Sequence, residues 1–145
     1  MTPYPLPDFD YALSAYFHPA RKIQFTCTRN QRRHDLACWR TVDKLPGTVD
    51  TGAEVCLFQR VIGEALGLLI ENGVRKRLET LTGVLTAYGH EVVLETLGVQ
   101  LQTLVYFAEG AEMRRNLLGR QGWLQLVRIG LVDYDSELYL SPYDE

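Results

Sequence analysis

From Lys22 onward the chain alternates. Ile23, Phe25 and Cys27 fall on one face and Gln24, Thr26 and Thr28 on the other, the period-two mark of a half-buried strand. The polar run Arg29 to Asp35 predicts a turn, and Leu36 to Val42 a returning strand. Pro46-Gly47 reads as a break before Thr48-Val49 delivers the chain to Asp50, which is therefore expected at a strand end. The period then changes: Val61, Ile62, Ala65 and Leu66 recur at helical spacing within Phe58 to Leu68, and Gly67 suits the end of that helix. After the polar stretch Glu71 to Lys76, the segment Leu78 to Phe107 is strand-like almost throughout. Gly83, Gly89 and Gly98 interrupt it, which predicts at least two hairpins. In its last strand Val99, Leu101, Thr103, Val105 and Phe107 share a core face while Gln100 and Gln102 take the other. A short helix is expected over Gln121 to Leu126, then a hairpin from Val127 to Leu140 turning near Tyr134-Asp135-Ser136. Ahead of Lys22, Pro3, Pro5 and Pro7 hold the chain extended, and Asp10 is placed to cap a short helix from Tyr11 to Phe17. The expected class is all-β, mainly strands with one or two short helices. Residues 22–145 form the domain, and residues 1–21 an N-terminal arm expected to be mobile.

A chain of 145 residues supports one core and so one catalytic unit. With 46% hydrophobic and 23% charged residues it has a globular composition, and its net charge of -3 offers no basic stripe for nucleic acid. The pairs Arg32-Arg33 and Arg114-Arg115 read as solvated loop charges. Three cysteines, Cys27, Cys38 and Cys56, are an odd number without repeated spacing, which fits free thiols better than a disulfide framework. No basic leader and no apolar run of bilayer length is visible, so the expected location is the cytoplasm, with no membrane partner.

The chemistry concentrates in Asp50-Thr51-Gly52-Ala53. A carboxylate at a strand end, followed by a small hydroxyl residue and a glycine, can be aimed into a cleft. Asp50 supplies acid or base, Thr51 can hydrogen-bond backbone groups and fix the loop, and Gly52 lets a peptide backbone approach because it has no Cβ. The string also makes a good turn, and average residue usage produces one like it in roughly one chain of this length in a hundred.

The order of features around the motif resembles the retropepsin family, the single-domain aspartic proteases of retroviruses and their bacterial relatives. The resemblance runs from about Lys22 to Leu140 and rests on three matches. Val49 through Ala53 is similar to the family's apolar strand end and Asp-Thr-Gly-Ala. Leu78 to Val93, with Gly83 near its tip, stands where the family has a flap hairpin. Leu117-Leu118-Gly119-Arg120, after the strand Val99 to Phe107 and before a short helix, is similar to the family's closing apolar pair, glycine and arginine. The resemblance implies a retropepsin-like acid protease fold, a closed β-barrel-like domain with a flap. It also implies an aspartic endopeptidase that needs no metal or organic cofactor. A single Asp-Thr-Gly per chain then requires a homodimer in which Asp50 meets Asp50 of the partner subunit across a two-fold axis. The two carboxylates would share a proton, one acting as base on water and the other as acid towards the scissile carbonyl. Thr51 would lock the two loops together and Gly52 would receive substrate main chain. Ala53, Leu81, Thr82, Gly83 and Val84 would bind substrate, and Glu54, Leu117, Leu118, Gly119 and Arg120 would support the site, with Arg120 paired to Glu54. The chain departs from the viral pattern in having one glycine in the flap, Pro46-Gly47 before the motif, and a C-terminal segment, Val132 to Glu145, that could build a different dimer sheet.

Other constellations weigh less. Cys27, His34 and Cys38 match no zinc spacing and lack a fourth ligand. Asp133, Asp135 and Glu137 lack the glycine of a calcium loop and read as a hairpin turn. His90 is expected as a solvent-facing turn residue, Cys56 as a small buried thiol, and Trp39 and Trp123 as core or interface residues. Two function classes follow: a peptidase hydrolysing a peptide or protein substrate between apolar residues, or a proteolytically silent dimer that grips extended peptide segments by strand addition. Substrate identity, cleavage preference and pH optimum are not written in these residues.

Overall fold

The computed structural model describes residues 13–16, 22–29 and 40–143. Ten strands, one short helix and two single 3-10 turns are present among them. The strands are β1 Leu13–Tyr16, β2 Lys22–Arg29, β3 Thr41–Val49, β4 Leu57–Phe58 and β5 Val74–Thr80. They continue with β6 Gly83–Thr96, β7 Val99–Ala108, β8 Asn116–Leu118, β9 Val127–Val132 and β10 Glu137–Pro142. The all-β expectation therefore holds. Hydrogen-bonded neighbours run β2-β3-β8-β4-β7-β6-β5, and a further pairing of β2 with β6 closes six of these strands into a barrel, leaving β5 outside it. Closure removes the sheet edges that would otherwise need protection. β1, β10 and β9 form a separate three-stranded sheet.

The alternation of β2 and β7 is realised as read. Ile23, Phe25 and Cys27 point inward, and so do Val99, Thr103, Val105 and Phe107, while Gln24, Gln100 and Gln102 face solvent. Inside the barrel the rings of Phe25 and Phe58 lie 4.8 Å apart, and Phe58 meets Phe107 edge-on at 6.0 Å. Trp123 and Leu118 are almost fully buried in the same cluster. The β6–β7 turn is the two residues Leu97 and Gly98, both at positive φ (52° and 77°), the conformation a tight hairpin between twisted strands requires.

Several local expectations are corrected. Pro46-Gly47 is no break: Pro46 pairs with Gln24 and Gly47 with Ile23 inside β3. A Cβ at Gly47 would lie 2.9 Å from the Phe25 ring and 3.1 Å from Leu118, so glycine lets both pack flush against the strand. The irregularity sits earlier, at Lys44 (φ 53°), where the β2 register shifts between Phe25 and Cys27. The returning strand begins at Thr41 and runs on to Val49; residues 36–39 lie outside the described residues. Leu13–Tyr16 is a strand and not helix, because it pairs with β10 from Leu13↔Leu140 to Tyr16↔Glu137; Asp10, Tyr11 and Phe17 lie outside the described residues. The central helix is shorter than its periodicity suggested, spanning Arg60–Ala65, because Phe58 is drawn into β4 opposite Phe107. Ile62 and Leu66 face the core, whereas Val61 is 61% exposed. Gly67, at φ +73°, follows its end as expected. The polar run before Leu78 is already strand from Val74, and Gly89 lies within β6 without interrupting it. Between Gln121 and Leu126 only a 3-10 turn, Leu124–Leu126, forms, since Gly122 takes φ +100°.

Candidate active site

β3 ends at Val49, which is buried, and the next residue, Asp50, stands half-buried at the strand end. β8 runs parallel to β3, pairing Gly47, Thr48 and Val49 with Asn116, Leu117 and Leu118. The Asp50 N–H continues that ladder by donating to the Leu118 carbonyl at 3.0 Å. The chain then turns tightly. Gly52 N–H donates to Asp50 Oδ1 at 2.9 Å, and Ala53 N–H reaches the same oxygen at 3.2 Å. This is the Asx-type turn that Asp-Thr-Gly favours, and it fixes the carboxylate while Thr51 and Gly52 stay exposed.

The segment after β8 braces the loop from behind. Arg120 N–H donates to the Ala53 carbonyl at 2.9 Å and Gln121 N–H to the Glu54 carbonyl at 2.8 Å. Gly119 is obligatory at this crossing, for a Cβ there would strike the Val55 carbonyl and come within 2.9 Å of that of Ala53. Asn116, buried, ties three pieces together: its Nδ2 donates to the Pro46 carbonyl at 3.1 Å and its Oδ1 accepts from Gln59 N–H at 3.0 Å. Sequence reasoning missed Asn116, although a polar residue just ahead of two apolar ones in a strand is a usable signal. Leu118 and Gly119 are buried behind the loop, while Leu117 reaches the cleft and Arg120 is exposed. The expected Arg120–Glu54 pair does not form within the chain. Glu54 instead accepts from Lys76 Nζ at 3.0 Å, and that ammonium lies 5.6 Å from the centre of the Tyr106 ring.

Opposite the loop stands the β5–β6 hairpin. β7 ends at Ala108, paired with Ala87, and Glu109 N–H donates to the Thr86 carbonyl at 2.9 Å, so from Leu78↔Leu85 to Thr80↔Gly83 the hairpin is paired, among the described residues, only with itself. Its tip is Leu81-Thr82. Thr80 Oγ1 donates to the Gly83 carbonyl at 2.8 Å and closes the turn; Gly83 takes φ +137° with open space around it. Leu81 is fully exposed and Val84 is 56% exposed. Between loop and hairpin runs a cleft of about 900 Å³, whose walls include Asp50, Gly52, Ala53 and Glu54 on one side and Leu78 and Leu81 on the other. A second pocket of about 560 Å³ shares Leu57, Thr80 and Leu117 with it and takes in Thr82, Gly83 and Val84. Every residue expected to meet substrate thus lines one or the other. Leu57, Leu78 and Thr80 were not anticipated; the alternate spacing of Leu78 and Thr80 on β5 carried that information.

The remaining candidates fall elsewhere. Cys27 and Cys56 are free and buried, and desolvation pushes both thiols up to about 12; for Cys56 a backbone hydrogen bond at Gly119 opposes this. Cys27 lies in the core, and His34, Cys38 and Trp39 lie outside the described residues. The Asp133 backbone carbonyl accepts from Ser136 N–H at 3.2 Å in the β9–β10 turn. His90 is corrected: it sits within β6, its Nε2 2.9 Å from the Ile70 carbonyl and its ring 6.0 Å from that of Phe107. Among the described residues no cluster of His, Cys, Asp and Glu is arranged to hold a metal, and no helix is long and apolar enough to cross a membrane.

No family model matches the chain, and no curated protein matches it. Solved structures do. A retropepsin-like aspartic protease from Rickettsia conorii is similar over 90% of this chain and 98% of that one, with a TM-score of 0.61 at 16% identity. The retroviral protease-like domain of Ddi1 from Leishmania major aligns over 86% and 97% of the two chains, with a TM-score of 0.47 at 19% identity. The EIAV protease complexed with the inhibitor HBY-793 aligns over 54% and 73%, with a TM-score of 0.44 at 20% identity. The rickettsial likeness spans nearly the whole of both molecules: this chain has the retropepsin-like aspartic protease fold.

Proposed function

We propose that the protein is an aspartic endopeptidase, a hydrolase that works as a homodimer with Asp50 of each subunit at the two-fold axis. The observation that carries this reading is the Asp50 carboxylate, held by two backbone N–H groups at the floor of a cleft roofed by a projecting hairpin. One such carboxylate per chain is half of the required pair. Two brought face to face share a proton, because like charges at close range cannot both be present cheaply. The ionised carboxylate takes a proton from a water as its oxygen attacks the scissile carbonyl carbon, and the protonated one gives its proton to the carbonyl oxygen. The resulting diol collapses as the amide nitrogen is protonated and the C–N bond breaks. Thr51, exposed beside Asp50, is assigned to contacts across the axis, Gly52 and Ala53 to substrate main chain, and Leu81, Thr82, Gly83 and Val84 to a flap that closes over the peptide and excludes water.

The dimer reading draws support from β9. Among the described residues it pairs only with β10, and Leu131 and Val132 on it are 44% and 39% exposed. An open, apolar edge strand of this kind invites a second copy. Free, buried Cys27 and Cys56 suit a reducing compartment, and we assign the protein to the cytoplasm, with peptide or protein substrates and no nucleic-acid or membrane partner. The deciding assay is cleavage of an unbiased peptide mixture at high protein concentration and mildly acidic to neutral pH, wild type against Asp50→Asn, with and without a statine-type inhibitor. Cuts that vanish with both the substitution and the inhibitor are the expected result. Equal silence of wild type and variant, both folded dimers, would replace the peptidase by a peptide-gripping dimer.

A further inference from the structure

The pocket beside the cleft has a chemistry that an apolar-specific peptidase does not need. Its floor is apolar, formed by Leu57, Leu117 and Met113, with Val84 of the hairpin above. Its lining also includes two acidic residues, Glu109 and Glu112, and no cation lines it. Both sit on the segment that leaves β7, and both are held. Tyr88, buried at the base of the hairpin, donates its hydroxyl to Glu109 Oε1 at 3.1 Å. The Glu112 carboxylate folds over Gly110, in space that a Cβ there would fill.

Neither carboxylate is in an ion pair with a described residue. Two guanidiniums lie in the neighbourhood: Arg60 binds Glu64 at 2.7 Å and Glu71 at 2.6 Å and touches Glu109 only through its backbone carbonyl at 2.9 Å, and Arg75 acts on the Tyr88 hydroxyl without pairing with Glu109. Arg77 lines the neighbouring cleft together with Asp50, Glu54 and Glu79, so acidic residues outnumber basic ones across the two pockets. Arg114 and Arg115 follow Met113 but do not line the pocket.

A largely apolar pocket whose lining includes two carboxylates outside any ion pair matches a side chain with a long aliphatic stem and a cationic tip. We propose that this pocket is a specificity subsite for a lysine or arginine of the substrate peptide, its stem on Leu57 and Leu117 and its charge between Glu109 and Glu112. The proposal rests on the cleft binding an extended peptide, as in the reading above. It makes Glu109 and Glu112 specificity residues and refines the expectation of purely apolar cleavage sites. A peptide lying along the cleft past Asp50 would reach the pocket through the wall the two share.

The test uses the full-length Asp50→Asn protein, which binds without turnover, and a fluorescent extended apolar peptide in which lysine, or its uncharged analogue norleucine, is placed at each position in turn. At one position lysine is expected to bind roughly tenfold more tightly than norleucine, as a charge-assisted contact predicts. Adding Glu109→Gln and Glu112→Gln should remove that preference while leaving the norleucine peptides bound; both residues are exposed, so the fold is not at stake. Lysine and norleucine peptides binding alike at every position would overturn the proposal and leave the peptidase reading standing. No binding of any peptide would overturn both.

Discussion

At Asp50 one oxygen carries the restraint. Oδ1 accepts from both Gly52 and Ala53, so the carboxylate is aimed by the backbone turn it helps to make, and Oδ2 receives neither donor. The neighbouring Cys56 behaves differently. It is buried beneath the same loop, and it and Cys27 keep their protons up to about 12 against an ordinary value of 9.0. Below about pH 9 both states of the chain hold these protons and stability is unaffected. Above it the unfolded chain ionises while the folded one does not, so stability declines towards pH 12, by about 1.4 kcal/mol per pH unit for each thiol. Urea midpoints measured between pH 8 and 11 should therefore fall more steeply for wild type than for the Cys27→Ala, Cys56→Ala double variant. Parallel declines would show that these thiols contribute nothing to alkaline unfolding.

The elements around the site were legible to different degrees, for physical reasons. β2 and β7 face core on one side and solvent on the other, so their alternation is written in Ile23, Phe25, Cys27 and in Val99, Thr103, Val105. The end of β3 was legible for another reason: Asp-Thr-Gly must leave a strand to make its turn. Pro46-Gly47 misled because turn propensity ignores packing; Gly47 is there to admit Phe25 and Leu118, and Pro46 still offers its carbonyl to Asn116. Leu13–Tyr16 misled because its strand exists only through β10, over a hundred residues away, which no local window contains. Arg120–Glu54 failed because Lys76, on the hairpin, competes for Glu54 across the fold. The hairpin tip yields its own prediction. Leu81 is fully exposed, so Leu81→Ser should alter stability by no more than about 0.5 kcal/mol. If the tip closes over substrate, losing an apolar contact of about 1.5 kcal/mol raises KM roughly tenfold. An unchanged KM in steady-state peptide cleavage would place the tip off the substrate.

At the scale of the whole molecule, the barrel sets Asp50 in a cleft, which the proposed dimer reading makes half of a site, and β9 stands at the edge of the second sheet. The parallel β3–β8 pair brings the strand end and its brace together, and the self-paired end of the β5–β6 hairpin roofs the cleft. Among the described residues no second Asp-Thr-Gly loop supplies the other carboxylate that the proposed chemistry requires. That requirement is tested most directly by mixing. Wild type and Asp50→Asn are unfolded together, refolded at equal amounts so that subunits pair at random, and assayed for peptide cleavage at fixed total protein. If both Asp50 residues of a dimer are needed, only about one dimer in four is active, and the rate is roughly a quarter of the all-wild-type rate. A rate of roughly half would mean that each subunit cuts with its own Asp50 alone, and would contradict the shared-dyad mechanism.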